Sequence, residues 1–383
     1  MRYSSLLTTA TIITSVLCQH IKPRDEETDV KTSSGSQFQP KVLIISMFGL
    51  ERDPWLESMD LIQNITIPGL SPMYPTIHCT TNGTICQITI DEGEINAAAS
   101  MTALTLSPLF DLSKTYFLIA GIAGGEPQYT TLGGVTFARF AVQVGLAYQF
   151  GYDDYIKEHP DWTTGYIPFG VSDQDSYPES VFGTEVFEVN EKLRDRAVEL
   201  AQKVNLNKGN ELNAQFRQLY TEEVARAEPA IYKCDVSTSD NYFTGNILND
   251  YAANFTKLMT NGTATYCATA LEDNATLEVL TRLSKSGLVD FDRVMIMRSI
   301  ANFARPPPSM SALDFFFNGT TGGIEASLDN LVIAGTPIIH DILTNWETDY
   351  KNGNKYASNN YIGDVYGTLG GTPDFGFDSY IEF

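Results

Sequence analysis

The stretch KTYFLIAGIAGG, residues 114–125, decides how the rest of the chain reads. Tyr116, Phe117, Leu118, Ile119 and Ala120 form a short apolar, β-prone run, the composition of a strand buried inside a sheet. Gly121, Gly124 and Gly125, with Ala123 between them, then read as a turn that ends it. Glycine admits φ > 0 and lets backbone come close to a ligand. Ligands of open α/β sheets lie beyond the carboxyl ends of strands, so a small-molecule pocket is expected where this strand stops. The stretch is not G-x-G-x-x-G, and it lacks the Lys-Ser/Thr pair of a P-loop. Its glycines therefore gain meaning only from what flanks them.

Upstream, KVLIIS at 41–46 is a continuous apolar run, as expected of a strand covered on both faces of a parallel sheet. It opens into Met47, Phe48, Gly49, Leu50, Glu51, Arg52 and Asp53, and a helix is expected from Trp55 with Pro54 near its first turn. A short strand at 87–90 ends in DEGEIN, 91–96, before a small-residue helix over 97–106. Downstream, 134–138 and 142–148 read as two β-hairpin arms, and 152–177 as an irregular surface loop. Helices are expected over 185–204, where Val186, Val189, Leu193, Ala197, Leu200 and Val204 form a stripe, and over 210–227. A strand near 231–236 precedes Ser239, Asp240, Tyr242 and Phe243, then a helix over 246–259. Another strand, 265–270, runs straight into Leu271, Glu272 and a helix to 285. The last buried strand, 292–299, ends at Asn302, and a long helix over 330–350 closes the chain. Strands and helices alternate, which predicts an α/β fold with a mainly parallel sheet.

The chain has 383 residues, 43% of them hydrophobic and 19% charged, enough for a sizeable core. Its formal net charge of −22 repels nucleic acid and anionic membranes, so both are discounted as partners. Residues 1–18 have the charged start, apolar middle and small residues (Val16, Cys18) of a secretion signal. Residues 19–39 read as a linker or propeptide, leaving one domain over 40–383. Past the leader no window approaches ~18 consecutive apolar residues. Four cysteines remain after it. Sequence proximity favours Cys79–Cys86 and Cys234–Cys267, with other pairings open, in the oxidising compartment that secretion implies. Six sequons, at Asn64, Asn82, Asn254, Asn261, Asn274 and Asn318, point to a glycosylated protein, secreted or held in the cell wall.

Strand ends along this chain carry polar residues: Glu51 and Arg52, Asn96, the glycines of 121–125, Asp240 with Tyr242 and Phe243, Glu272, and Asn302. Their order and spacing resemble the nucleoside phosphorylase and nucleosidase superfamily. The segment EGEINAAA at 92–99 is similar to its G-x-G-x-x-x-A-A stretch, and GIAGG at 121–125 to its G-x-A-G-G. Ser239, Asp240 and Phe243 match S-x-D-x-F, LEDNA at 271–275 matches M-E-x-A-A, and Ala301-Asn302 matches the strand end A-N. Residues from about 40 to 350 look most like the fungal branch called purine nucleoside permeases.

The resemblance implies roles for these residues. Glu272 would accept hydrogen bonds from the ribose 2′- and 3′-hydroxyls, Tyr242 or Phe243 would stack on the base, and Asn302 would contact the purine. Many relatives carry Asp there and protonate N7; an amide only hydrogen-bonds, which tilts the base toward 6-oxopurines. Gly121, Ala123, Gly124, Asn96, Asp240 and Leu271 would line the pocket. The first-strand loop decides the reaction: glutamate there activates water, whereas arginine grips phosphate. Glu51 falls at the nucleosidase position and Arg52 beside it, so hydrolysis is favoured over phosphorolysis. No cofactor is expected, phosphate being co-substrate only in a phosphorylase. The expected partners are purine nucleosides (inosine, guanosine, adenosine). No metal is expected, since His78, His159 and His340 lack ligand spacing. The resemblance also implies a single-domain three-layer fold, a mixed, mostly parallel twisted sheet flanked by helices; whether the chain forms a homo-oligomer stays open. A nucleoside-binding protein that assists transport without turnover is the rival reading.

Overall fold

The structure is a computed structural model and describes residues 37–375. The expected leader and most of the expected linker lie outside the described residues. Residues 37–39, expected to belong to that linker, join the fold: Phe38 donates to Leu109 O at 2.7 Å, and its carbonyl accepts from Asp111 N at 2.8 Å.

Strand β1 (Val42–Ser46) leads into helix α1 (Gly49–Ser58). Next come β2 (Gln63–Thr66), β3 (Thr76–Cys79), β4 (Ile85–Thr89) and α2 (Glu94–Thr105). The chain continues through β5 (Tyr116–Gly125), β6 (Val135–Ala138), β7 (Phe140–Gln143), β8 (Ala147–Gln149), α3 (Tyr152–Tyr155), β9 (Tyr166–Pro168) and β10 (Val186–Glu188). Helices α4 (Glu191–Ala201), α5 (Glu211–Arg217) and α6 (Glu223–Arg226) follow. The remainder is β11 (Ile231–Lys233), β12 (Asp235–Thr238), α7 (Asn246–Met259), β13 (Tyr266–Ala270), α8 (Asp273–Lys285), β14 (Val294–Phe303), α9 (Ala312–Asn318), α10 (Ile324–Thr344) and β15 (Gly363–Asp364).

All strands but β8 and β9, which pair with each other, join one mixed sheet. At its centre β4, β1, β5 and β14 run parallel, and antiparallel pairs extend it to both edges. The hub is β5. Its first half pairs with β1, its end with β13, and nearly its whole length with β14. Alternation across these strands builds two cores. Leu43, Ile45, Phe117 and Ile119 face α2 and α8. Val42, Ile44, Leu118 and Ala120 face Trp55 of α1 and the Leu331–Ile342 side of α10. The sheet is thus the middle of three layers. Both expected disulfides form: Cys79–Cys86 ties neighbouring positions of β3 and β4, and Cys234–Cys267 ties the residue between β11 and β12 to β13. Among the described residues no helix is long and apolar enough to cross a membrane.

Several elements depart from the sequence reading. The strand at 116 does not stop at Gly121 but runs to Gly125, with no positive φ at Gly121, Gly124 or Gly125. Likewise β14 runs through Asn302 to Phe303. Helix α1 starts at Gly49, six residues before Trp55, so Pro54 lies inside it. The 134–148 arms are not a hairpin: β6 pairs with β14 and β11, β7 with β10 and β12. Val186 belongs to a strand, and α4 begins only after Asn190, whose side chain caps Leu193 N at 3.0 Å. The 210–227 helix is two short ones, and α10 begins at Ile324.

Candidate active site

Helix α1 follows β1 after two residues, which turns Glu51 back under the sheet. The carboxylate is 2% exposed. Its Oε2 accepts the Met47 N–H at 2.7 Å, and its Oε1 accepts the Ile122 N–H at 2.7 Å. Burial pushes its pKa up to about 8, outweighing the attraction of Arg298 and the two N–H donors.

Strand β5 explains why glycine stands at 121. A Cβ there would lie 2.5 Å from Arg298 Nη1, 2.7 Å from Met47 Sδ and 2.8 Å from Glu51 Oε1. The residue is a window through which three side chains meet the backbone. Arg298, beside Gly121 in the β5–β14 register, is 2% exposed. Its Nη1 donates to the Ile122 carbonyl at 3.3 Å. Its Nε donates to Asp273 Oδ2 at 3.3 Å, and its Nη2 to Asp273 Oδ1. The same Nη2 stands 3.6 Å from Glu272 Oε2. A buried guanidinium requires carboxylates around it, and β13 supplies two by ending at α8.

Glu272 itself is buried. Its Oε1 accepts the Gly93 N–H at 3.1 Å, and burial raises its pKa to about 7 against the pull of Arg298. Gly93 reaches this carboxylate with φ +90° at the start of α2. The next residue, Glu94, donates its N–H to Asp240 Oδ1 at 2.7 Å and binds Gln143 through its own carboxylate. Burial, then Asp240, raises the Glu94 pKa to about 7.

At the far end of β5, Gly124 pairs with Asn302. Thr269 Oγ1 accepts the Gly124 N–H at 3.1 Å. Asn302 Nδ2 donates to the Tyr242 hydroxyl at 3.1 Å and to the Phe303 carbonyl at 3.0 Å. Tyr242 is exposed and leans on Phe316 of α9, ring centres 5.6 Å apart.

The structure thus gathers Glu51, Gly121 and Glu272 at Arg298 and links Glu272 to Asp240 through Gly93 and Glu94. Gly124, Asn302 and Tyr242 form a second group at the end of β5; Ala123 is buried and Leu271 half-buried. Others part company. Arg52 turns outward from Glu51, pairing with Asp53 at 2.6 Å and lying over the Tyr74 ring. Asn96 is exposed and spends its amide on the Glu92 carbonyl at 2.8 Å. Phe243 packs with the cluster beneath α7 rather than beside Asn302. Arg298, Asp273, Ile122 and Thr269 have no role in the sequence reading, although Asp273 and Ile122 lie inside its quoted motifs. Arg298 had a signal: an arginine inside the apolar run VMIMRSI demands a buried acid, and Glu272-Asp273 is the acidic pair that opens the preceding helix. Among the described residues no three His, Cys, Asp or Glu side chains group as a metal site.

The chain belongs to the purine nucleoside permease family, whose model matches residues 39–355. It is similar to the purine nucleoside permease of Candida albicans, 68% identical over 361 residues, which cover 94% of this chain and 89% of that one. It is similar also to a probable purine nucleoside permease of Schizosaccharomyces pombe, 44% identical over 322 residues, covering 81% and 91%. Among solved structures it is similar to futalosine hydrolase of Helicobacter pylori, at 16% identity and TM-score 0.46, covering 79% of this chain and 98% of that one. A Streptococcus pneumoniae MTA/SAH nucleosidase bound to 8-aminoadenine gives 14% identity and TM-score 0.45, covering 77% and 98%.

Proposed function

We propose that this chain hydrolyses the N-glycosidic bond of purine nucleosides, releasing base and ribose, as a secreted or wall-held enzyme that feeds separate transporters. One observation carries the reading. Three buried carboxylates, Glu51, Glu272 and Asp273, surround the single guanidinium of Arg298. Breaking the C1′–N9 bond leaves positive charge on the ribose, and surplus carboxylate stabilises that charge where it develops. Glu51, raised to about 8, is a much stronger base than an ordinary glutamate, and its ionised form, the minority below that pH, takes a proton from the attacking water. Glu272 accepts from the ribose hydroxyls, and Arg298 fixes it in place. Asn302 and Tyr242 face the base.

The same charges disfavour phosphate as co-substrate. Arg298 is committed to Asp273, Arg52 to Asp53, and Arg305 to Glu126 and Asp250. No cofactor is needed when water is the acceptor. The experiment is product analysis with inosine, guanosine and adenosine, with and without phosphate. Free ribose independent of phosphate is expected, and ribose 1-phosphate would replace this reading with phosphorolysis. The word permease in the relatives' names carries a second reading, a nucleoside-binding protein serving transport. Saturable binding with no product would select it.

A further inference from the structure

We infer that Arg217 and Asn213, buried on one face of α5, hold a small monovalent inorganic anion such as chloride. The inference stands apart from the hydrolytic reading above. The two side chains are at i and i+4, neighbours one helical turn apart. Asn213 is fully buried and Arg217 is 5% exposed. The Asn213 backbone N–H is spent on the Asn210 cap at 3.0 Å. Its side-chain Nδ2 and Oδ1 have no hydrogen-bond partner among the described residues, and neither do Arg217 Nε and Nη1. Buried polar atoms are ordinarily paired, and here two adjacent side chains are left over together.

Charge sharpens the case. Four arginines are buried among the described residues. Arg194 meets Glu191 and Asp195, Arg293 meets Asp290, and Arg298 meets Asp273. Arg217 alone of the four has no carboxylate within ion-pair distance among the described residues. The acid that acts on it, Glu228, is exposed and bonds Lys208 at 2.8 Å. The other titratable group beside it is Tyr232 of β11, a phenol that carries no charge at neutral pH. Carboxylates are in surplus in a chain of net charge −22, so supply does not explain the missing partner. A buried charge without a counter-charge is costly, and water brings none.

The donors select the ligand. Guanidinium and amide N–H groups together suit an anion. Both side chains are closed off from solvent, and Gly209 packs on the amide: a Cβ there would lie 2.8 Å from Asn213 Cγ. The ligand is therefore an ion of halide size rather than an organic anion. It sits under a segment that braces the sheet, since Tyr220, just after α5, rests on Phe303 of β14 with ring centres 4.2 Å apart.

The test measures thermal melts of wild type and Arg217→Met at fixed ionic strength, replacing sodium gluconate, whose anion is too large, by sodium chloride. Wild-type Tm is expected to rise with the logarithm of chloride concentration, as for any ligand of the folded state, by about 2 °C or more per tenfold. Arg217→Met has no charge to neutralise, so it is expected to ignore chloride and to melt above wild type in gluconate. An equal response in the two proteins overturns the inference. Crystals soaked in bromide need no variant. An anomalous peak within hydrogen-bond reach of Arg217 and Asn213 is expected, and an ordered water or a carboxylate of the chain itself at that position overturns the inference. Bromide in the crystal with a wild-type Tm indifferent to chloride is an adventitious ion only, and overturns it as well.

Discussion

Glu51 and Arg298, 247 positions apart in the chain, are held by the two sides of one peptide unit's residue: the Ile122 N–H donates to Glu51 at 2.7 Å, and the Ile122 carbonyl accepts from Arg298 at 3.3 Å. Ile122 is thus the backbone residue that the two side chains share.

Gly121→Ala tests the close approach. The new Cβ meets Arg298, Met47 and Glu51 below 3.0 Å, so the buried cluster must shift. A loss of about 1–3 kcal/mol is expected, with turnover falling further than stability. Gly49→Ala is the control, since its Cβ meets nothing nearer than 3.7 Å. Denaturant melts and initial rates check both, and an unchanged Gly121→Ala rate would contradict the assignment.

Stability should fall as pH rises. Glu51 and Glu272 have folded pKa values of about 8 and about 7 against an ordinary glutamate's 4.5. Between 4.5 and those values the folded chain holds protons that the unfolded chain releases, so protonation favours the fold. That contribution is complete below about 4.5 and is lost as pH climbs through 7 and 8. Thermal melts across this window should show Tm declining, and Glu51→Gln should flatten the decline. A Tm that climbs over the same range would count against it.

Removing Arg298 strands three buried carboxylates. Arg298→Met should cost about 3–5 kcal/mol, the usual loss when one partner of a buried pair is deleted. Arg298→Lys keeps the charge but cannot fork onto Asp273 while reaching Ile122, so it should fold better than the methionine variant yet turn over poorly. Chemical denaturation separates the two effects.

Five of the six sequon asparagines are exposed, and one is not. Asn274 is 1% exposed; its Oδ1 accepts from Thr238, and its Nδ2 donates to the Thr184 carbonyl at 2.7 Å. A glycan there would break both bonds at the first turn of α8, beside Glu272. Glycopeptide mapping of protein from a eukaryotic host should find sugar among Asn64, Asn82, Asn254, Asn261 and Asn318 and none on Asn274.

Much of this was legible in sequence because it is local. Apolar runs located β1, β5 and β13, and the helix expected over 246–259 matches α7 to the residue. Glu272 announced itself as an acid directly after a buried strand. What stayed hidden was set by distant partners. The glycines of β5 looked like a turn, but Gly121 is required by space rather than by φ, and the atoms that need the space come from residues 47, 51 and 298. The adjacent pair Glu51–Arg52 carried no sign that one goes in and the other out, because that depends on where α1 begins. Val186 fits a helical stripe, with Phe187 and Glu188 inside the expected helix, until β7 offers all three a ladder.

The most direct measurement is the product formed from inosine by wild-type protein and by Glu51→Gln, with phosphate present and absent. Hypoxanthine and free ribose are expected in both buffers from wild type, with a rate lower by about 10²–10⁴ in Glu51→Gln, the range for loss of a general base. Ribose 1-phosphate formed only with phosphate, or turnover untouched by Glu51→Gln, would contradict it.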